Sequence, residues 1–536
     1  MSSQKNGRLQ ASDPASTLAV DVLVVGGGPA ATWSAVAAAR HGAKVILVDK
    51  GYVGTSGATA PSSTGTWFAT TAEARGALVA RRVARAYGLG NPSRMHDVIE
   101  TATRHIAILA DWDYPFPEDD AGQRYLANLR GPDYMRFMRR QVLSAGVRIF
   151  DHHPAIELLA DGDAIVGASG IARQKGDMPW QIRAGAVVLA TGGCAFGSRI
   201  LGATGLTGDG YLMAAEAGAT FSGMEFSAQY GLAPFSSSLN KGIVYQWGTF
   251  YREDGSNIAI TDEMYASVAR AMLEGPVFAC LDRAPPVVQD ALRRGQPHCF
   301  LPFDRSGIDP FTQHYPVVLR CEGTVRGTGG IKADSDCSVG IPGLYAAGDT
   351  LDRQDLAGAT TGGGGPNASW AISTGVWSGA AAASYALSLG RKVTDRHARP
   401  LGRVGLRPAA AVKTDISAAD LLAAVKAELL PVDRNFFRTD ASLTRSLASL
   451  NDAWIAIRDH VSGLDGNLLR SREAAAMLAT ARLSFKAALG RPETRGMNRR
   501  LDYPQMTPDG GRRIDVSGLD DIALVTEKRL PEHIAS

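Results

Sequence analysis

Gly26, Gly28 and Ala31 stand in a G-x-G-x-x-A pattern where an apolar run, Asp21 to Val25, gives way to an alanine-rich segment. The first glycine permits a tight turn, the second lets the main chain approach a pyrophosphate, and the small third residue lets a helix pack close to a strand. Pro29 and Ala30 belong to the turn that leads into that helix, whose unsatisfied N–H groups and partial positive charge suit a phosphate. Asp49 follows about 20 residues on, at the end of a second apolar run, where a carboxylate accepts hydrogen bonds from ribose hydroxyls. Lys50 stands next to it. Strand, glycine turn, helix, second strand and acid form a dinucleotide-binding unit. The unit alone does not choose between a nicotinamide and a flavin dinucleotide.

Three more glycine-rich turns bear on that choice. Ala190-Thr191-Gly192-Gly193 ends a buried strand, and Gly343 to Asp349 ends another, bringing Gly348 and Asp349 to a strand terminus. Thr360 to Asn367, with Gly363 and Gly364, precedes a helix whose N–H groups suit the negatively polarised N1/O2 edge of a reduced flavin. Turns of this kind at widely separated points favour a long two-part cofactor over a plain nucleotide.

The elements that hold these turns follow from periodicity. Strands are predicted over 21–25 and 44–48, near 147–150, 155–160 and 165–174, and over 180–189. Helices are predicted over 32–41, 71–86, 95–113, 132–143, 367–389, 418–430, 441–459 and 470–489. Residues 226–323 are richer in aromatics and proline and weakly periodic, as expected of an inserted cap. The division that results is a leader (1–18), a cofactor domain in two parts (19–225 and 324–392), a capping domain (226–323), a linker (393–414), and a helical domain with an irregular tail (415–536).

The chain has 536 residues, 45% hydrophobic and 20% charged, the balance of a globular protein with ample chain for a large core. Fifty-six Lys and Arg against 53 Asp and Glu leave a net charge of +3, which argues against a dedicated nucleic-acid binder. The five cysteines have no C-x-x-C spacing, so an iron–sulfur cluster held by this chain is unsupported. Their scatter suggests reduced thiols and a cytoplasmic location. No export signal and no run of 18 apolar residues is visible. The ten histidines show no clustering that supports metal binding.

Taken in order, these segments resemble the fumarate reductase/succinate dehydrogenase flavoprotein superfamily, which includes L-aspartate oxidase and adenylylsulfate reductase. The similarity also takes in Gly54 to Thr59, Thr207-Gly-Asp209-Gly210, Met224-Glu225-Phe226, Thr328-Gly-Gly-Ile331 and Arg491 to Pro504. The resemblance implies an α/β fold: a discontinuous Rossmann-like FAD domain, an inserted α+β capping domain and a C-terminal helical domain. It places Asp49 at the adenosine ribose and Ser56, Gly57, Ala58 and Thr59 along the pyrophosphate and ring. Glu225 and Asp349 orient the flavin. Succinate dehydrogenases attach FAD through a histidine in the loop matching 54–65; that loop has none here, so the FAD is expected to be non-covalent.

The pattern departs at the substrate. The family's dicarboxylate-binding histidine falls near Gly231, its acid arginine near Tyr265, its His-Tyr pair on Val325-Arg326, and its Arg-Leu-Gly-Gly on 361–365. Their loss argues against succinate, fumarate or aspartate, because a desolvated carboxylate needs charged partners. Arg326 is the leading candidate for a site cation, with Tyr265 and Arg270 as further catalytic candidates. Its alternative is a salt bridge to Glu322. Tyr230, Tyr245, Trp247, Phe250 and Tyr251 either stack a planar substrate or form cap core. Arg491, Arg495, Arg499, Arg500, Glu493 and Asp502 are expected to form an ion-pair network. The implied activity is hydride transfer between a small organic substrate and flavin N5, with oxygen, a quinone or a separate ferredoxin-like carrier as acceptor. Reduction of an activated C=C or sulfur substrate, or service as an electron-transfer subunit, are the alternatives. A homo-oligomer is possible on the sequence alone.

Overall fold

The computed structural model describes residues 18–118, 121–240, 242–261, 263–393, 395–408, 416–460 and 467–526. The expected leader up to residue 17, and part of the expected linker, lie outside the described residues.

The apolar runs form one mixed sheet. Leu18–Val25 pairs in parallel with Val45–Val48 on one side and Met178–Leu189 on the other, with Val22 opposite Val45 and Leu23 opposite Val187. Arg148–Phe150 extends the sheet in parallel beyond Val45–Val48, and Leu344–Ala346 pairs in parallel with the end of Met178–Leu189. Ala155–Asp161 and Ala164–Ala172 continue it antiparallel, and Arg399–Pro400 adds an edge. Val22, Leu23 and Val24 are fully buried, the pattern of a strand covered on both faces.

Helix Pro29–Arg40 crosses helix Gly364–Leu389 at unusually close range. A Cβ on Gly375 would stand 2.6 Å from the Ala30 carbonyl, and one on Gly379 2.2 Å from that of Ser34. Glycine thus sets how close the two backbones come. The crossing brings both helix N-termini to the carboxyl edge of the parallel strands, where ligand crevices of such sheets open.

The weakly periodic segment forms an antiparallel sheet of its own, in the order Tyr230–Pro234, Tyr315–Cys321, Val277–Cys280, Thr249–Arg252. Helices Met264–Glu274, Pro286–Gly295 and Pro297–Ser306 accompany it. Tyr245, Phe250, Phe300, Phe303 and Tyr315 pack into its separate core. Further on, helices Ala418–Leu429, Asp440–His460 and Leu468–Leu489 stand close to their predicted spans. The tail differs from expectation. Ile514–Ser517 and Ala523–Thr526 pair with each other, and the first also pairs with Phe221–Ser222. Their partner lies some 300 residues earlier, so no local pattern announces them.

The Arg491 segment forms the expected network. Arg491 bridges Glu225 at 2.8 Å and Glu493 at 2.9 Å, and Arg495 reaches Glu493 at 2.7 Å. Arg500 holds Asp440 and Asp502, and Arg499 holds Glu263 from the cap.

Candidate functional site

A cavity of about 740 Å³ runs along the carboxyl edge of the sheet. Its walls include Gly26, Gly28, Pro29, Ala30, Asp49 and Lys50, together with Gly348, Asp349, Gly363, Gly364 and Asn367. Ser56, Gly57, Ala58, Thr59, Ala190, Thr191, Gly192 and Asp209 also line it. Nineteen positions drawn from five distant stretches of chain therefore converge on one slot.

Several features fit this slot to FAD. Helix Pro29–Arg40 starts at Gly28 and helix Gly364–Leu389 at Gly363, and neither cap residue contributes a side-chain hydrogen bond. Their first N–H groups are left for a ligand. A Cβ built on Gly28 would meet nothing within 4 Å, so that position opens onto free space in the cavity. At Gly26, by contrast, φ is +125° and a Cβ would stand 2.2 Å from the Ala190 carbonyl, so the turn itself demands glycine. The side-chain carbonyl of Asn367 is shielded from solvent with no hydrogen-bond partner. A shielded acceptor of this kind calls for a donor.

Asp49 is buried at the end of Val45–Val48. Burial raises its pKa, opposed by hydrogen bonds from the Ser56 hydroxyl and the Gly51 N–H. Lys50, also in the cavity wall, is engaged by protein groups. Its Nζ donates to Thr207 at 2.9 Å, Asp209 at 2.7 Å and Glu473 at 2.8 Å. Burial opposes its charge, but the two carboxylates outweigh it and raise the pKa. Glu473, on helix Leu468–Leu489, carries the helical domain to the cavity wall, a contact the sequence reading missed.

Two expected cofactor residues stand off the cavity wall. Ala31 is fully buried between its helix and the sheet, where its small size serves the packing. Glu225 is also fully buried, and Arg491 claims its carboxylate. Burial pushes the Glu225 pKa up, and Arg491 pulls it down.

Among the catalytic candidates, Arg326 lines the cavity beside Val325, Gly242, Ile243 and Gln296. The alternative salt bridge to Glu322 is not made; that carboxylate accepts from Asn240. Tyr265 lies behind the wall, with its hydroxyl 2.3 Å from where a Cβ on Gly242 would sit. Burial, reinforced by Glu322 and opposed by Arg326, pushes its pKa up to about 12. Arg270 is exposed on the cap, over the Phe437 ring and away from the cavity. None of the five cap aromatics lines the cavity. Tyr245 and Phe250 are cap core, Tyr230 donates to the Leu429 carbonyl, and Tyr251 stacks on His314.

Arg353, which no motif singled out, organises the wall around Asp349 and Arg326. It is fully buried and donates to Asp349, to the Thr324 carbonyl at 2.7 Å and to the Gly327 carbonyl. Asp349 and the turn that carries Arg326 are thereby tied to one guanidinium. Burial raises the Asp349 pKa, against the pull of Arg353 and Arg326.

Comparison with known proteins identifies the family and the fold. The FAD binding domain family matches residues 21–366, and the fumarate reductase flavoprotein C-terminal family matches 430–528. L-aspartate oxidase of Mycobacterium tuberculosis (strain ATCC 25618 / H37Rv) is 27% identical over 96% of this chain and 99% of its own. A fumarate reductase (CoM/CoB) chain of Methanothermobacter marburgensis is 24% identical over 92% and 96%. Among solved structures, an E. coli quinol fumarate reductase chain superposes with a TM-score of 0.79 at 20% identity, covering 96% of this chain and 97% of that one.

Proposed function

Because the chain belongs to the fumarate reductase/succinate dehydrogenase flavoprotein superfamily of FAD-dependent oxidoreductases, we propose that it transfers hydride between a small organic substrate and flavin N5. FAD, when bound, supplies the hydride-accepting centre. The two uncapped helix N-termini hold its charged portions, and Asp49 takes the adenosine ribose. The observation that carries the reading is the presence of Arg326 in the wall of the same cavity as Asp49 and the glycine turns.

The protein's share is orientation and charge. Arg326 faces the cavity without a carboxylate within ion-pair distance among the described residues. Tyr265 keeps its proton at neutral pH and is a hydrogen-bond donor there, not a base. Ile243 and Val325 give the wall an apolar character that keeps water from competing at the reacting end. The four charged or histidine positions expected for a dicarboxylate are absent, so succinate, fumarate and aspartate are not the substrates in this reading. Electrons pass to an external acceptor: oxygen, a quinone or a separate ferredoxin-like carrier. The named quinol in the E. coli relative supports a quinone among these. Among the described residues no helix is long and apolar enough to cross a membrane. A cytoplasmic location follows in this reading from the scattered, buried cysteines, which form no disulfide.

The test is anaerobic screening of the yellow protein against small metabolites, watching for loss of flavin colour, followed by reoxidation with oxygen or a quinone. Rapid bleaching by succinate or aspartate would overturn the reading of the missing ligands. A second reading, an electron-transfer subunit docking a partner, draws on Leu501, Tyr503 and Met506, which are exposed close together in sequence. It would be favoured if no metabolite bleached the flavin while a reduced iron–sulfur protein did.

A further inference from the structure

Helix Leu468–Leu489 of the helical domain lies directly against the turn Thr207-Gly208-Asp209-Gly210. At Gly208 φ is +84°, and a Cβ there would stand 2.7 Å from the Thr480 hydroxyl and 3.5 Å from the Ala476 carbonyl. Glycine is what lets the helix come so near the turn. Arg472, buried on the same helix, donates to the Ile156 carbonyl at 2.9 Å. It also holds both oxygens of Glu216, at 2.8 and 2.6 Å. The helix is thus pinned to the cofactor domain on either side of Glu473. That residue lines the cavity together with Asp49, Lys50 and Asp209.

The three carboxylates differ in what they leave for a ligand. Asp209 has both oxygens taken, one by the Thr207 hydroxyl and one by Lys50 Nζ, each at 2.7 Å. On Asp49 a single oxygen accepts from both the Ser56 hydroxyl and the Gly51 N–H, which leaves the other. Glu473 gives Oε1 to Lys50 at 2.8 Å, while its Oε2 has no hydrogen-bond partner among the described residues. Lys50 donates to three oxygens at once, so it fixes the Glu473 carboxylate and has no proton left over for a ligand. A free carboxylate oxygen only accepts. It suits a hydroxyl or an amino group, and it repels a phosphate.

We propose that Glu473 of the helical domain binds the adenosine half of the cofactor, accepting through Oε2 a hydrogen bond from a ribose hydroxyl or the adenine amino group, with Lys50 as its positioning residue. The helical domain is then part of the cofactor site. The inference rests on the FAD reading above, which sets the adenosine ribose at Asp49, the neighbour of Lys50 in sequence.

The test uses the full-length protein freed of flavin and titrated calorimetrically with FAD, ADP and FMN. Glu473→Ala leaves Lys50 paired with Asp209 and Thr207, and alanine suits a helix. It is expected to weaken FAD and ADP by a common factor of about tenfold, the worth of one hydrogen bond to a charged group. FMN, which has no adenosine, should bind the variant and the parent alike. Glu473→Gln keeps an acceptor oxygen and is expected to fall between. IDP, 2′-deoxy-ADP and 3′-deoxy-ADP identify the donor: the analogue that lacks it should bind Glu473→Ala and the parent equally. The proposal is overturned if the Ala variant binds FAD and ADP as tightly as the parent, or if all three analogues keep the loss. It is also overturned if FMN loses as much as FAD, which would make Glu473 a structural residue. ADP that fails to bind the parent, or that binds Asp49→Asn unchanged, would instead overturn the underlying placement of the adenosine.

Discussion

Arg353 donates to the carboxylate of Asp349 from a position wholly closed to solvent. The same guanidinium holds the turn that carries Arg326, so one buried cation positions two charged residues of the cavity wall, Asp349 and Arg326. The wall residues are ordinary; their mutual placement is what Arg353 supplies.

Arg353→Met removes the cation and leaves Asp349 and three carbonyls facing a dry pocket. Breaking a buried pair in this way costs about 3–5 kcal/mol. Urea unfolding of the FAD-free protein should show a loss of that order, and the purified variant should hold less FAD. Arg353→Lys keeps the charge without the forked geometry and is expected to fall between. A Met variant with parental stability and full flavin content would remove Arg353 from this role.

The two fingerprint glycines should separate folding from cofactor binding. Gly28→Ala adds a Cβ that meets no protein atom, at a backbone conformation any residue adopts. Its FAD-free unfolding midpoint should match the parent while its FAD affinity falls at least tenfold. Gly26→Ala adds a Cβ against the Ala190 carbonyl at positive φ and should lower stability itself. Equal stability losses in both variants would contradict the open space at Gly28.

Glu493 makes the fold sensitive to acid. Burial acts to raise its pKa, but hydrogen bonds from Arg495, Thr507 and Arg491 outweigh it and hold the value at about 2, below the usual 4.5. A depressed folded pKa contributes stability that is fully present above about 4.5 and is lost as pH falls towards 2. The contribution is about 3 kcal/mol. Denaturation curves between neutral pH and pH 2 should show that loss, and Glu493→Gln should flatten it. An unchanged pH dependence in the Gln variant would show that Glu493 is not the group that titrates.

The cofactor should leave the chain intact on denaturation. Among the described residues no His, Cys or Tyr lines the cavity, so none of the usual nucleophiles for flavin attachment faces the slot. Acid precipitation is expected to put the yellow colour in the supernatant, with FAD identified by mass. Flavin retained in the pellet would mean a covalent link.

Much of this molecule was legible because it is written locally. The Gly26–Ala31 turn, the strand Leu18–Val25 and helix Gly364–Leu389 each carry their own period and punctuation, and one stretch of chain suffices to read them. The Arg491–Glu493–Arg495 cluster was legible for the same reason: opposite charges two residues apart pair wherever the segment lies. The cap sheet was less clear, because Tyr230–Pro234 finds its partner only at Tyr315–Cys321.

What the sequence alone determined, then, was the cofactor-binding frame and the class of chemistry it serves. Only the tertiary structure decided that Lys50 is spent on Asp209 and Glu473, that Glu225 faces Arg491, and that Arg326 makes no bridge to Glu322. The physical reason is distance along the chain. A charge's partner is chosen by whichever residue folding brings within hydrogen-bond reach, and for Lys50 and Glu225 the charged partners stand 159 to 423 positions away.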